Sequence, residues 1–274
     1  MHKTIISTQQ LSTMLGQPTL CIVDGRFALA DTNAGRMAYE AAHIPGAVYA
    51  HLDDDLSGTI TAGVTGRHPL PSVEKLQQLF SAWGIDEKVQ VVVYDDKGGG
   101  IAARLWWMLR WVGHQNVAVL DGGWPKWKAD QLPITDEVEQ RVAKTFVVNV
   151  RSASHVDRNF VESNRLSPNH IIVDSRTAPR YRGEEEPIDP IAGHIEGAIN
   201  APFPENLTAD GVFKSKEELR ERFEALLKGK APSQATFYCG SGVTACHNLL
   251  AMEYAGLEGA KLYPGSWSEW LLQL

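Results

Sequence analysis

The chain repeats itself, and the repeat limits its fold more than any other feature. Residues 20–24 read Leu-Cys-Ile-Val-Asp and residues 170–174 read His-Ile-Ile-Val-Asp, each followed by Gly or Ser and then by Arg26 or Arg176. Ala42-His43-Ile44-Pro45-Gly46-Ala47-Val48 matches Gly193-His194-Ile195-Glu196-Gly197-Ala198-Ile199. The run from Gln90 to Tyr94 matches Ala235 to Tyr238, and Leu120 to Trp127 matches Tyr263 to Trp270. The matches keep one order, at offsets of 143 to 151 residues. Such a period marks one supersecondary architecture used twice. A chain of 274 residues has room for two modest domains at roughly 100–200 residues each.

Each copy has the rhythm of an α/β unit. Its apolar runs are short, rich in Val and Ile, and suit buried parallel strands. Helical spacing recurs over 72–83, 100–112, 216–227 and 244–255. Ser215 with Glu218 three residues on forms a capping box at one helix start. Alternating strand and helix predicts a parallel sheet with helices on both faces. The polar stretch around 135–158 lacks a strong period and reads as a connection, with one further strand expected at Thr145–Val150. The resulting division is a first domain over 1–135, a linker over 136–159 and a second domain over 160–274.

Hydrophobic residues make up 43% and charged residues 22% of the chain, enough to build packed cores. The formal net charge of −7 argues against general nucleic-acid binding, which needs a basic face. Three sparse cysteines, Cys21, Cys239 and Cys246, do not make a disulfide framework and fit a reducing compartment. The first residues hold no apolar core of signal-peptide length, and no run approaches the ~18 apolar residues that span a bilayer. A soluble, cytoplasmic protein without membrane partners is expected.

In the second copy, strand 235–238 runs into Cys239-Gly240-Ser241-Gly242-Val243-Thr244, and a helix is expected from Thr244. A helix N-terminus presents unpaired N–H groups and the positive end of the dipole, which favour an anion. Gly240 and Gly242 let successive N–H groups turn inward as a nest. A cysteine ending a strand is often only a small buried hydrophobe. The first copy weighs against that reading, because it carries Asp95 at the same turn, so the fold does not require Cys there. Cys246 falls inside the helix, where packing is its expected role, and Cys21 falls inside a strand. No clustered Cys/His spacing points to a metal.

The loop from Cys239 to Thr244 resembles the active-site loop of 3-mercaptopyruvate sulfurtransferases. Gly193-His194-Ile195-Glu196-Gly197 and Gly265-Ser266-Trp267-Ser268-Glu269-Trp270 resemble two signatures of the two-domain rhodanese family. The resemblance covers essentially the whole chain and implies two tandem rhodanese-like domains, the first catalytically silent. It also implies a mechanism. The Cys239 thiolate takes sulfur from a small anionic donor, mercaptopyruvate or thiosulfate, and carries it as a persulfide held by loop N–H groups. Cyanide or a thiol, with that of thioredoxin among the candidates, then removes it. No metal or organic cofactor is implied.

By the same resemblance Ser241, His68 and Asp53 form a proton-moving constellation with Cys239. Arg180 becomes a cation for the donor's anionic group. Gly240, Gly242, Val243 and Thr244 line the donor. Left to themselves, His68 and Asp53 read as residues of solvated turns, and Arg180 as a loop charge beside Glu184-Glu185-Glu186. Arg176 is expected to hold the loop through an internal ion pair.

One departure is clear. The mercaptopyruvate enzymes carry a second carboxylate-gripping Arg shortly before the His-Ile element. Here that stretch is Glu186-Pro187-Ile188-Asp189-Pro190. The thiosulfate enzymes tend to have Arg and Lys directly after the Cys, where this chain has Gly240 and Ser241. Both donors therefore stay open. A thiol phosphatase would need Arg six residues past the Cys to clamp a phosphoryl group, and Ala245 stands there. A silent rhodanese-like binding module would be expected to have lost Cys239, as the first copy has.

Overall fold

A computed structural model describes all 274 residues. Nine strands form two parallel sheets. In the first, β1 (Ile5–Ile6), β2 (Leu20–Asp24), β3 (Ala47–Tyr49), β4 (Gln90–Tyr94) and β5 (Val117–Leu120) lie in the order β1-β5-β4-β2-β3. In the second, β6 (Ile171–Asp174), β7 (Ile199–Asn200), β8 (Ala235–Tyr238) and β9 (Lys261–Leu262) lie in the order β7-β6-β8-β9. Dropping β1 makes the two orders equivalent. The central pairs match in register, with Asp24 opposite Tyr94 and Asp174 opposite Tyr238. β2 and β4 are buried at every position, as strands covered on both faces must be. The α/β fold expected from the repeat is the one present.

The helices start and stop where their local chemistry directs. Helix Val73–Ala82 begins after Ser72, whose hydroxyl accepts from the Lys75 N–H at 3.2 Å. Helix Lys216–Leu227 begins after Ser215, which forms the expected capping box with Glu218. Helix Ala102–Trp111 is buried at every residue, and helix Ala245–Tyr254 is buried from Ala245 to Met252.

The expected strand at Thr145–Val150 is absent. That segment bonds to helix ends rather than to a sheet edge. Lys144 N–H donates to the Ser81 carbonyl, Phe146 N–H to Ser81 Oγ and Asn149 N–H to the Val112 carbonyl. Phe146 is buried while Val147 and Val150 are exposed. This alternation resembles a strand in sequence but arises from one anchored aromatic.

The chain forms two compact units. The first comprises 1–58, 71–151 and 210–212, and the second comprises 59–70, 152–209 and 213–274. Each carries the same clamp at the end of its central strand. Arg26 donates through Nε and Nη2 to Asp24 and through Nη2 to the Ala42 carbonyl. Arg176 does the same to Asp174 and to the Gly193 carbonyl. Burial opposes the charge of Arg176, but the bond to Asp174 outweighs it and raises the arginine's pKa. Removing one member of such a buried pair typically costs about 3–5 kcal/mol. The histidines of the His-Ile elements are anchors too. His43 and His194 place Nδ1 2.7 Å from the carbonyls of Tyr39 and Tyr181 and stack on those rings at 4.1 and 3.9 Å.

Candidate active site

Cys239 follows β8 directly and is 2% exposed. Its N–H donates to Ser266 Oγ at 3.1 Å, and its carbonyl accepts from the Trp267 N–H at 3.0 Å. The Gly240 carbonyl accepts from the Ser268 N–H at 2.9 Å. The cysteine is thus pinned to the segment from Gly265 to Trp270. Ser266 holds a left-handed backbone, φ 56°, which costs a non-glycine residue roughly 1–2 kcal/mol. Its hydroxyl also donates to the Tyr263 carbonyl at 2.9 Å. The first copy has Gly123 at the matching left-handed position. The second copy therefore accepts backbone strain and gains a hydroxyl that orients the cysteine. Gly242, with φ 76°, leaves no room for a side chain, since a Cβ would lie 2.3 Å from the Pro264 carbonyl oxygen.

The first copy shows what this loop geometry can hold. The buried carboxylate of Asp95 accepts four N–H bonds, from Lys97, Gly99, Ile101 and Ala102, all at 2.7–2.8 Å. It is a built-in anion in a backbone nest. The equivalent donors after Cys239 are the N–H groups of Ser241, Val243, Ala245 and Cys246. The last bonds to the Val243 carbonyl at 3.1 Å, while the other three, and that of Thr244, have no acceptor within the protein. The loop can therefore receive negative charge at or beyond the Cys239 sulfur.

Segment 59–70 belongs to the first repeat in sequence and to the second unit in space. It brings His68 to the loop, with Nδ1 2.7 Å from Ser241 Oγ. Both residues are buried, at 5% and 7% exposure, and such a pair can pass a proton. Asp53 lies in the first unit, half-buried in the turn after β3, where its N–H donates to His51 Nδ1 at 3.2 Å. Burial raises its carboxyl above the usual range.

Arg180 is in the second unit but is not a bare cation. It donates to Glu186 through Nε at 3.1 Å and Nη2 at 2.6 Å, and lies 3.4 Å from Asp189. Arg176 also reaches Glu186, at 3.1 Å, besides its expected pair with Asp174. Burial pushes Glu186 up, but the bond from Arg180 and the N–H groups of Asp189 and Ile188 outweigh it and hold the carboxyl below its usual range. Asp189 also accepts from Arg67, and burial raises its carboxyl despite that partner. A Cβ on Gly240 would lie 3.0 Å from Arg67 Nη2, 3.5 Å from Arg180 Nη2 and 3.8 Å from Arg180 Nη1.

Sequence reasoning missed Arg67, Asp189 and Ser266. Arg67 and Asp189 stand 122 residues apart, and no local pattern relates them. Ser266 could have been found by aligning it with Gly123 inside the repeat.

Of the two remaining cysteines, Cys246 donates through Sγ to the Gly242 carbonyl at 3.5 Å. Cys21 is fully buried, and burial pushes its thiol up to about 11. No helix is long and apolar enough to cross a membrane.

The rhodanese-like domain model matches residues 7–130 and 157–273. The chain is 45% identical over 268 residues to a probable 3-mercaptopyruvate sulfurtransferase of Pseudomonas aeruginosa, covering 97% of this chain and 94% of that protein. It is 38% identical over 274 residues to the putative thiosulfate sulfurtransferase SseB of Mycobacterium tuberculosis, covering 98% and 94%. The solved 3-mercaptopyruvate sulfurtransferase from Leishmania major superposes with a TM-score of 0.86 at 32% identity, covering 98% of this chain and 74% of that one. This chain, with its duplicated α/β unit and a cysteine loop in the second copy alone, belongs to the two-domain rhodanese-like family and is an enzyme of the sulfurtransferase type.

Proposed function

We propose that the enzyme moves sulfane sulfur from a small anionic donor to a thiophilic acceptor through a persulfide on Cys239, in two displacements. With mercaptopyruvate, the Cys239 thiolate attacks the donor sulfur and an S–S bond forms. The C–S bond breaks with its electron pair left on carbon, and the enolate takes up one proton to leave as pyruvate. With thiosulfate, the S–S bond of the donor breaks and sulfite leaves. The persulfide lies among the N–H groups of Ser241, Val243, Thr244 and Ala245, which stabilise its charge. Cyanide or a thiol, with thioredoxin one such partner, then attacks the outer sulfur and frees Cys239.

The observation that carries this reading is the buried 2.7 Å contact between His68 Nδ1 and Ser241 Oγ, two residues past Cys239. It supplies a hydroxyl and imidazole to polarise the donor carbonyl and deliver the enolate's proton. Asp53 is the third member on family resemblance alone. Because thiosulfate offers no carbonyl to this pair, mercaptopyruvate is the preferred donor and thiosulfate the slower one. Intact-mass spectrometry after exposure to mercaptopyruvate should show a gain of ~32 Da on Cys239, reversed by cyanide. No gain with either donor would sink the proposal. A higher kcat/KM for thiosulfate would reverse the donor order.

A further inference from the structure

We infer that the apolar hollow between segments 59–67 and 187–191 is the docking surface for a protein acceptor, one that presents its reactive thiol within an uncharged apolar face. The inference rests on the sulfurtransferase reading above and adds to it the partner that unloads Cys239 and the surface it meets. Three observations carry it.

The first is composition. The hollow holds about 390 Å³ and lies wholly within the second unit. Ile60, Ile188, Ile191 and Leu272 line it and are 41–61% exposed. A lone exposed apolar side chain is ordinary, but several around one hollow mark a surface that meets something. The core does not call for them. Between Pro187 and Pro190 it is Asp189 that is buried, while Ile188 is left outside.

The second is rigidity. The N–H groups of Ile188 and Asp189 both donate to Glu186 Oε1 at 3.1 Å. The Ile191 carbonyl accepts from the Trp267 indole at 2.9 Å, and the two prolines fix their own φ angles. On the facing wall, Gly66 is packed against Ser268 and Gly265. A partner therefore meets a preformed surface and orders little on binding.

The third is charge and place. Arg67 and Asp189 are the two charged residues lining the hollow, and they pair with each other. A partner steered by charge needs a rim of opposite sign, whereas this surface suits a contact face that is uncharged as well. The hollow also adjoins the segment that pins the cysteine. Trp267, which holds the Ile191 carbonyl, donates its backbone N–H to the Cys239 carbonyl. Ser268 lines the hollow and donates its N–H to the Gly240 carbonyl. Cyanide and small donors need no such surface, but a protein that must find this loop, react and leave does, and a small apolar contact suits so brief an encounter. Its thiolate attacks the outer sulfur, the S–S bond breaks, Cys239 keeps the electron pair as thiolate, and the acceptor departs as a persulfide.

Reduced thioredoxin, already among the candidate acceptors, is the probe. Cys239 is first loaded with mercaptopyruvate, and removal of the outer sulfur by thioredoxin or by cyanide is followed by intact mass in the wild type, Ile188→Glu and Leu272→Glu. A charge placed in the apolar contact should slow discharge by dilute thioredoxin about tenfold or more in both variants and leave discharge by cyanide within about twofold. Equal discharge by thioredoxin in the folded variants overturns the inference. So does a wild-type persulfide that cyanide empties and thioredoxin does not, and so does equal slowing with both acceptors, which would mean a distorted loop. Self-association of the wild type in sedimentation velocity, abolished by Ile188→Glu, would give the hollow to a second copy and overturn it too. Absent wild-type loading refutes the function above. Calorimetric titration of the resting enzyme with thioredoxin then judges the surface by itself, with weaker binding to both variants expected and equal binding overturning the inference.

Discussion

Three cysteines sit in three environments, and the surroundings of each decide its use. Cys239 lies beside open N–H groups and the His68–Ser241 pair. Cys239→Ser should therefore fold as the wild type does, since the first copy tolerates Asp95 at this turn, and turn over below about a thousandth of the wild-type rate. Cys246→Ser should stay within a few-fold, because its sulfur bonds inward to the Gly242 carbonyl. Cys21 yields a stability prediction instead. Its folded pKa of about 11 stands above an ordinary 9.0 because burial disfavours the thiolate. Between those values the unfolded chain has lost a proton that the folded chain keeps, so unfolding grows easier as pH rises. The contribution is fully present below pH 9.0 and is lost as pH passes about 11, to the extent of roughly 3 kcal/mol. Urea melts across this window should show the decline, and Cys21→Val should lessen it, the rest coming from buried tyrosines whose pKa burial also raises. An equal slope in the variant would place the alkaline loss elsewhere.

At the scale of elements, the duplicated turns after β4 and β8 share a backbone and differ in what fills it. Asp95 satisfies its own nest, whereas the Cys239 loop keeps its donors open and depends on Ser266 for alignment. Ser266→Gly relieves the left-handed strain, roughly 1–2 kcal/mol, and removes two hydrogen bonds with a net worth of about 1 kcal/mol each, effects that are opposite in sign. Thermal stability should therefore change little while loading of Cys239 slows several-fold. A large drop in Tm would show that the hydroxyl is a stability element and not an aligning one. Most elements were legible in sequence because buried parallel strands are written as short Val/Ile runs and helix starts as Ser caps. The two-residue β1 was not, since it is defined only by pairing with β5. The strand expected at 145–150 does not form because the segment's N–H groups find the ends of two helices and no sheet edge. In the site, Cys239 and Ser241 were visible through one contiguous loop, whereas Arg67 and Asp189 acquire meaning only through contacts spanning more than a hundred residues.

The repeat suggests a molecule that could be cut at its midpoint, yet the second unit is not contiguous. Segment 59–70, coded in the first repeat, is packed into the second unit, and it is packed tightly. A Cβ on Gly66 would lie 2.5 Å from Ser268 Oγ and 2.7 Å from the Gly265 carbonyl oxygen, and the Arg67 N–H donates to Ser268 Oγ at 3.1 Å. The same segment pairs Asp189, whose side chain is 2% exposed, with Arg67, and brings His68 to Ser241. A chain of residues 152–274 alone would keep the Cys239 loop and lose all of these contacts. Asp189 would then have only Arg180, at 3.4 Å, and leaving a buried carboxylate half-paired costs several kcal/mol. We therefore expect 152–274 to melt well below the full chain. Where it is still folded, it should load sulfur on Cys239 at least about a hundredfold more slowly, the typical loss of a general acid–base pair. The comparison is a thermal melt by circular dichroism beside mass-monitored loading at saturating mercaptopyruvate. Loading at the full chain's rate would mean that 59–70 braces the unit without serving the reaction, and that Cys239 with its nest of N–H groups suffices for the first displacement.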